Sequence, residues 1–216
     1  SGSFATNGWT FDPSQGNWRI FATAGNPQPC AEFYWSPSIT NYNHALVSRD
    51  LDATANTTVV LSFDIFLDNY NVATVEEMKV FVWDGTTWVL IDTFSNQGDD
   101  LPWTSKTYNI TAHAEGKITR VKFEASGANS FNLNWWRLDN IKVFQPASVD
   151  LAALAVVGNI TPSVGTATTY NVQVKNNGGS TQSTYTVKLR VNGTEVASVA
   201  GPAIEPAQTL NVPLTW

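Results

Sequence analysis

Cysteine is almost missing from this chain: Cys30 stands alone among 216 residues, so no disulfide can form within it. A lone thiol suits a cytosolic protein and equally an exported bacterial one that does without disulfides, and with no histidine near it in sequence Cys30 reads as a small buried side chain. Histidine is nearly as scarce. His44 and His113 are the only two, neither lies in a His-Glu-x-x-His pattern, and there is no Gly-x-Ser-x-Gly elbow or phosphate-cradling glycine loop. A glycosidase would need two acids on one cleft, about 5–9 Å apart. Glu76 and Glu77 are sequence neighbours and point to opposite faces of a strand, which leaves only the scattered Glu32 and Glu124. The chain reads as non-catalytic.

Charge is also thin, at 14% of residues, and the formal net charge is -6 with a pI near 4.8. Twelve Lys and Arg spread singly cannot neutralise a run of phosphates, which excludes a nucleic-acid groove, and the acidic balance disfavours an anionic membrane surface. Long apolar runs are lacking: the longest, 151–157, is far short of a membrane span, so no insertion is expected. Helical periodicity over ten or more residues is absent throughout.

What remains is rich in aromatic rings and uncharged polar groups. Hydrophobic residues make up 43%, nine of them Trp, and solubility falls to Asn, Ser, Thr and Gln. That surface is common in secreted bacterial modules. Ser1-Gly2-Ser3 reads as a linker remnant, with any signal peptide upstream of it.

Period-two alternation broken by turn residues makes this an all-β chain. In 57–67, Val59, Leu61, Phe63, Ile65 and Leu67 line a core face, while Val60, Ser62, Asp64 and Phe66 line the other. Met78, Val80 and Val82 alternate with Lys79, Phe81 and Trp83, and Asp84-Gly85 turns the chain into 88–91 as a hairpin. Further strands fall at 18–22, 30–35, 45–50, 105–110 and 117–125. The last, within 130–144, would place Leu133 and Trp135 on one face and Trp136 and Leu138 on the other. Such a count suits an antiparallel jelly-roll β-sandwich.

After Pro146 the composition changes. No Phe follows and no Trp until Trp216, while Ala, Val, Thr and Asn dominate, so a boundary separates 1–146 from 147–216. Tyr170, Val172 and Val174 alternate before Asn176-Asn177-Gly178-Gly179, and Asn192-Gly193 marks a hairpin. Five or six strands fall short of the usual seven, so this piece reads as a smaller, incomplete immunoglobulin-like β-sandwich, truncated at Trp216.

The order of Gly8-Trp9, Asn17-Trp18, Ala45 to Ser48, Leu61-Ser62-Phe63, Val80 to Trp88, Trp103 with Tyr108, Val121 to Glu124 and Leu138-Asp139-Asn140-Ile141 resembles the MAM and cleaved-adhesin group of jelly-roll modules, over about residues 3–145. MAM domains usually carry paired cysteines, absent here, which favours the bacterial branch. The remainder, from Asp150-Leu151 through Gly165 and Val174 to Gly178 and on to Leu214-Thr215-Trp216, resembles the CARDB-type immunoglobulin-like domains of bacterial surface proteins. The two resemblances imply an accessory pair in a larger secreted or cell-surface protein, where such modules bind glycans or proteins or act as spacers.

Two sets of residues are candidates for function. In related jelly rolls a structural calcium is ligated from positions that Asp12, Asp139 and Asn140 resemble; the alternative is that these residues only start turns. Sugar binding needs exposed rings, and Phe66, Phe81, Trp83, Trp88, Trp103 and Trp136 are the candidates, unless loops cover their face. The first expectation is thus carbohydrate binding; adhesion to a surface protein and a structural stalk beside other domains of the parent polypeptide are the alternatives. An extracellular or cell-surface place fits all three.

Overall fold

Alternation in the strand 60–69 is realised residue by residue. Leu61, Phe63, Ile65 and Leu67 are each at most 1% exposed, and Ser62 and Phe66 face the other way. At roughly 1.5–3 kcal/mol for each large apolar side chain fully buried, such a row commits the strand to one orientation. The computed structural model describes residues 2–216 and divides into two compact units, Ser1–Gln145 and Pro146–Trp216.

The first unit is two packed antiparallel sheets of five strands each. Sheet A runs in the order β1 (Trp9–Asp12), β4 (Thr40–Ser48), β11 (Val121–Asn129), β7 (Glu76–Trp83), β8 (Trp88–Ser95). Sheet B has β2 (Trp18–Phe21), β3 (Cys30–Tyr34), β12 (Leu133–Phe144), β6 (Val60–Asn69), β9 (Leu101–Asn109). The two-residue strands β5 (Leu51–Asp52) and β10 (Ile118–Thr119) pair separately. The middle strand of each sheet, β11 in one and β12 in the other, pairs on both sides with strands distant in sequence, as crossed sandwich connections require. Between the sheets lie Trp18, Phe33, Phe63, Phe123, Trp136 and the aliphatic residues of β6, β7 and β11. Phe63 stacks on Tyr108 at 5.8 Å and meets Phe123 edge-on at 5.0 Å, which ties sheet B to sheet A.

Turn chemistry behaves as the residues dictate. Asp84 accepts hydrogen bonds from the backbone of Thr86 and Thr87, both at 2.8 Å, and Gly85 takes φ +98°, so the β7–β8 loop closes with Trp83 opposite Trp88. Those bonds favour the ionised Asp84 and hold its carboxyl well below the usual aspartate range, led by the bond from the Thr87 backbone.

β12 departs from simple alternation. A 3-10 turn over Ser130–Asn132 feeds it, and the register against β6 shifts between Leu133 and Trp135. That bulge turns Leu133 inward with Trp136 and Leu138, all at most 1% exposed, and sends Trp135 outward. The expected pairing of Leu133 with Trp135 is therefore corrected. So is the place of Trp136 among the binding rings: at 0% exposure it sits between Phe33 and Leu67 as core.

The second unit has β13 (Leu151–Val157), β14 (Thr169–Asn176) and β17 (Thr209–Thr215) in one sheet and the hairpin β15 (Thr186–Val191) with β16 (Thr194–Ala200) in another. Val172, Val174, Val187, Ile204, Val212 and Leu214 form its core. Asn192 and Gly193 both take positive φ, 49° and 84°, at the hairpin tip. Asn176, fully buried, donates to the carbonyls of Ser180 and Ile204 at 2.9 and 3.0 Å and accepts from the Gly178 amide, which folds its Asn-Asn-Gly-Gly turn back on the sheet.

Trp136→Ala opens a cavity in the middle of sheet B and is expected to cost about 3–5 kcal/mol in urea unfolding. A loss under about 1 kcal/mol, the size of an exposed-site effect, would contradict its placement.

Candidate functional site

The candidate rings separate onto two surfaces, because alternate residues of a strand serve opposite faces and the two sheets have separate outer sides. Phe66 and Trp103 lie on sheet B, their centroids 5.5 Å apart. Phe81, Trp83 and Trp88 lie on sheet A, with Trp83 and Trp88 5.4 Å apart. All five are half-buried, so part of each ring reaches solvent.

On sheet B the outer row crosses four strands as Arg19, Glu32, Arg137 and Phe66. Glu32 is 0% exposed, yet both carboxylate oxygens are used. Arg19 Nη2 stands 2.5 Å from Oε1 and Arg137 Nε 2.7 Å from Oε2. A buried carboxylate is tolerated only when so paired. The guanidinium groups then stack on rings: Arg137 lies 4.5 Å from the Trp135 centroid and 5.0 Å from that of Phe21, and Arg19 lies 4.0 Å over Tyr34. Sequence reading missed this row, although an Arg or Glu alone in an apolar strand was its visible signal.

Beyond Phe66 the same face turns polar. A cleft of about 340 Å³ is lined by Ser62, Asp64, Ser105, Lys106, Thr107, Asn140 and Lys142, with Phe63 at its back. Asp64 is its centre. It accepts from Ser105 Oγ at 2.5 Å, Asn140 Nδ2 at 2.8 Å and Asn26 Nδ2 at 3.1 Å. Burial works to raise its pKa, but these bonds and the charge of Lys142 together outweigh it and hold the carboxyl below the usual value, so Asp64 is an anion at neutral pH.

Asp139 stands directly opposite Asp64 across β12 and β6, a like-charge cross-strand pair. Asp139 accepts from the Asn26 amide at 2.5 Å, and Asn140, at φ +49°, donates to the Asn26 carbonyl as well as to Asp64. Asp139 and Asn140 are thus joined by Asp64 and Asn26, which replace the expected Asp12. Asp12 closes β1 on sheet A opposite Ala45, and no hydrogen bond links it to the cluster. A calcium ion takes six to eight oxygens. The Asp64 and Asp139 carboxylates and the Asn26 carbonyl are hard donors of the right kind, and the Asn140 amide oxygen would join them with that amide turned over, since its nitrogen faces Asp64 and Asn26 here. Among the described residues no group of three or more His, Cys, Asp or Glu is placed to hold a metal, so an ion here would complete its shell from amide, carbonyl and water oxygens.

The sheet A surface is built differently. Lys122 lies 4.2 Å over the Phe81 centroid and 2.9 Å from Glu124, while Arg120 lies 4.9 Å from Trp83 and 5.4 Å from Trp88. Leu90, opposite Phe81, is 52% exposed. Glu124 and Glu32, the two carboxylates left over for catalysis, thus lie on different sheets, each paired with a cation. Burial pushes the Cys30 thiol up to about 11, so it stays protonated and unreactive at neutral pH. Among the described residues no helix is long and apolar enough to cross a membrane.

Glu32→Ala strands Arg137 in a low-dielectric place and is expected to destabilise the fold by roughly 3–5 kcal/mol in chemical unfolding. Stability unchanged by that substitution would mean the carboxylate does not tie the three strands.

A CARDB family model matches residues 148–216, all of the second unit but its first two residues. No curated protein matches the chain. Among solved structures, the K1 cleaved adhesin domain of Lys-gingipain from Porphyromonas gingivalis W83 is similar at 14% identity and a TM-score of 0.49, over 66% of this chain and 95% of that one. The xylan-binding domain of Xyn10C from Paenibacillus barcinonensis aligns at 13% identity and a TM-score of 0.41, over 65% and 89% of the two chains. A family 16 carbohydrate-binding module aligns at 12% identity and the same TM-score, over 65% and 92%.

Proposed function

We propose that the first unit is a non-catalytic binding module that takes a glycan on the outer face of sheet B, as an accessory part of a secreted or cell-surface protein. The observation that carries this reading is the Phe66–Trp103 pair standing beside the polar cleft around Asp64. A pyranose has one apolar face and a rim of hydroxyls. Rings stack on the first, and Asp64, Ser62, Ser105, Thr107 and Asn140 offer acceptors and donors to the second. Arg137, pinned by Glu32, backs the ring of Phe66 at 5.6 Å and so stiffens the platform before any ligand arrives.

Titration calorimetry against a panel of soluble oligosaccharides tests the reading. Phe66→Ala and Trp103→Ala should each weaken a saccharide bound by the wild type by about tenfold or more. A loss with Trp83→Ala or Trp88→Ala instead would move the site to sheet A, and no binding to any saccharide would end the glycan reading.

A second reading rests on the sheet A surface. Phe81, Trp83, Trp88 and the exposed Leu90 make an apolar patch rimmed by Arg120 and Lys122, a composition suited to adhesion to a protein.

The cofactor proposed is a structural calcium held by Asp64, Asp139, Asn26 and Asn140, where the ion would relieve the facing carboxylates. Millimolar calcium should raise the melting temperature of the chelator-treated protein, and Asp139→Asn should remove that rise. A melting temperature indifferent to calcium and chelator would discard the ion.

A further inference from the structure

Three exposed loops meet at one end of the sheet B surface, and each delivers an aromatic ring to the same spot. Trp35 follows β3, Tyr70 follows β6, and Phe131 lies in the 3-10 turn before β12. Phe131 is the hub: its ring meets Trp35 edge-on at 5.5 Å and Tyr70 at 5.2 Å. Tyr70 is 58% and Phe131 44% exposed, the largest aromatic exposure in the first unit. Exposed rings on mobile loops would mean little, but these loops are tied together. Ser130 Oγ donates to the Trp35 carbonyl at 2.8 Å and accepts from the Ile39 amide at 3.0 Å, while the amides of Tyr70 and Asn71 both donate to the Asn132 carbonyl at 3.1 Å. Ser130 and Asn132 are buried, so the frame is rigid although the rings are wet.

The rings enclose a notch of about 220 Å³ whose other walls are Leu133 and Asn134. That is below the roughly 300–1,000 Å³ of sites for drug-sized ligands and suits a single ring. Its polar edge is Asn134, whose amide donates to Asp68 Oδ1. Among the described residues neither Asn134 Oδ1 nor Asp68 Oδ2 has a hydrogen-bond donor, so two acceptors remain for hydroxyl groups. No Lys or Arg lines the notch, and Asp68, bonded to Asn134 behind its polar edge, would repel an anion. Tyr34 lies 5.6 Å from Trp35 on one side and under Arg19 on the other, so the notch borders the outer row that runs through Glu32 and Arg137 to Phe66.

We propose that the Trp35–Tyr70–Phe131 notch is a second sugar subsite, which holds one neutral pyranose ring of the same glycan that lies on sheet B. The inference rests on the glycan reading above and adds a site at the end of the sandwich. A neutral ring fits because the walls are apolar, the Asn134–Asp68 edge offers acceptors to hydroxyl groups, and no cation lines the notch to pair with an anionic sugar. A uronic acid would meet Asp68 unpaired.

Calorimetry with neutral gluco-, xylo- and manno-hexasaccharides, their disaccharides and oligogalacturonate separates the outcomes. For a hexasaccharide bound by the wild type, Tyr70→Ala/Phe131→Ala should lose about tenfold in affinity while the disaccharide, held on the platform alone, is little changed. Both rings are exposed, so the melting temperature should hold; Tyr70→Ser alone, at the more exposed ring, repeats the comparison. Wild-type affinity for the hexasaccharide in both variants, with Phe66→Ala still losing it, overturns the notch and leaves the platform standing. Loss in the notch variants with Phe66→Ala and Trp103→Ala both neutral keeps the notch and overturns the platform. Preferred binding of oligogalacturonate that needs Tyr70 and Phe131 overturns the neutral-sugar assignment, and a wild type that binds no saccharide overturns both sites.

Discussion

A carboxylate that no water reaches, Glu32, holds three strands of sheet B in register through Arg19 and Arg137. The cost of burying that charge is met only while β2, β3 and β12 stay side by side, so the ion triad discriminates against slipped pairings in a way that apolar rows cannot. A slip of one residue would bring the glutamate to the inner face, among Phe33 and Trp136. The outer face inherits its order from this arrangement. With both guanidinium groups fixed from below, Tyr34, Phe21, Trp135 and Phe66 find flat cations to pack on, and rings that would otherwise sway become a surface.

The inner face works by volume rather than charge. Trp18, Phe33, Trp136 and Leu67 run across sheet B in one row, opposed by Met78, Val80, Phe123 and Leu46 from sheet A. Apart from the Glu32 triad, this relieves the outer side of sheet B of filling volume. Surplus rings can then accumulate there without harm to the core. The polar cleft at Asp64 and the notch at Phe131 mark the two ends of the sheet B surface, both shaped by irregularities of β12: the bulge beyond Asp139 and the 3-10 turn before Leu133. Each irregularity interrupts pairing and releases a side chain from strict alternation.

Much of the fold was legible along the chain. The core faces of 57–67 and of Met78, Val80 and Val82, the Asp84-Gly85 and Asn192-Gly193 hairpins and the all-β class follow from periodicity and turn chemistry, which act over a few residues. The site was legible only in part. Phe66 and Phe81 could both be recognised as outward-facing, yet nothing local says that one belongs with Trp103 and the other with Trp83. Alternation separates Trp135 from Trp136 without saying which of two apolar faces is core, and the bulge that turns Leu133 to the side of Trp136 is a property of two strands rather than one.

The amino-acid order by itself determined which side of each regular strand is apolar, where the chain turns and where its composition shifts at Pro146, since these depend on short-range sterics and on hydrophobicity. Which strands are neighbours depends on packing between residues a hundred positions apart. That decided that Asp139 faces Asp64 rather than Asp12, that Glu32 is shared by two arginines, and that Trp35, Tyr70 and Phe131 meet at one edge.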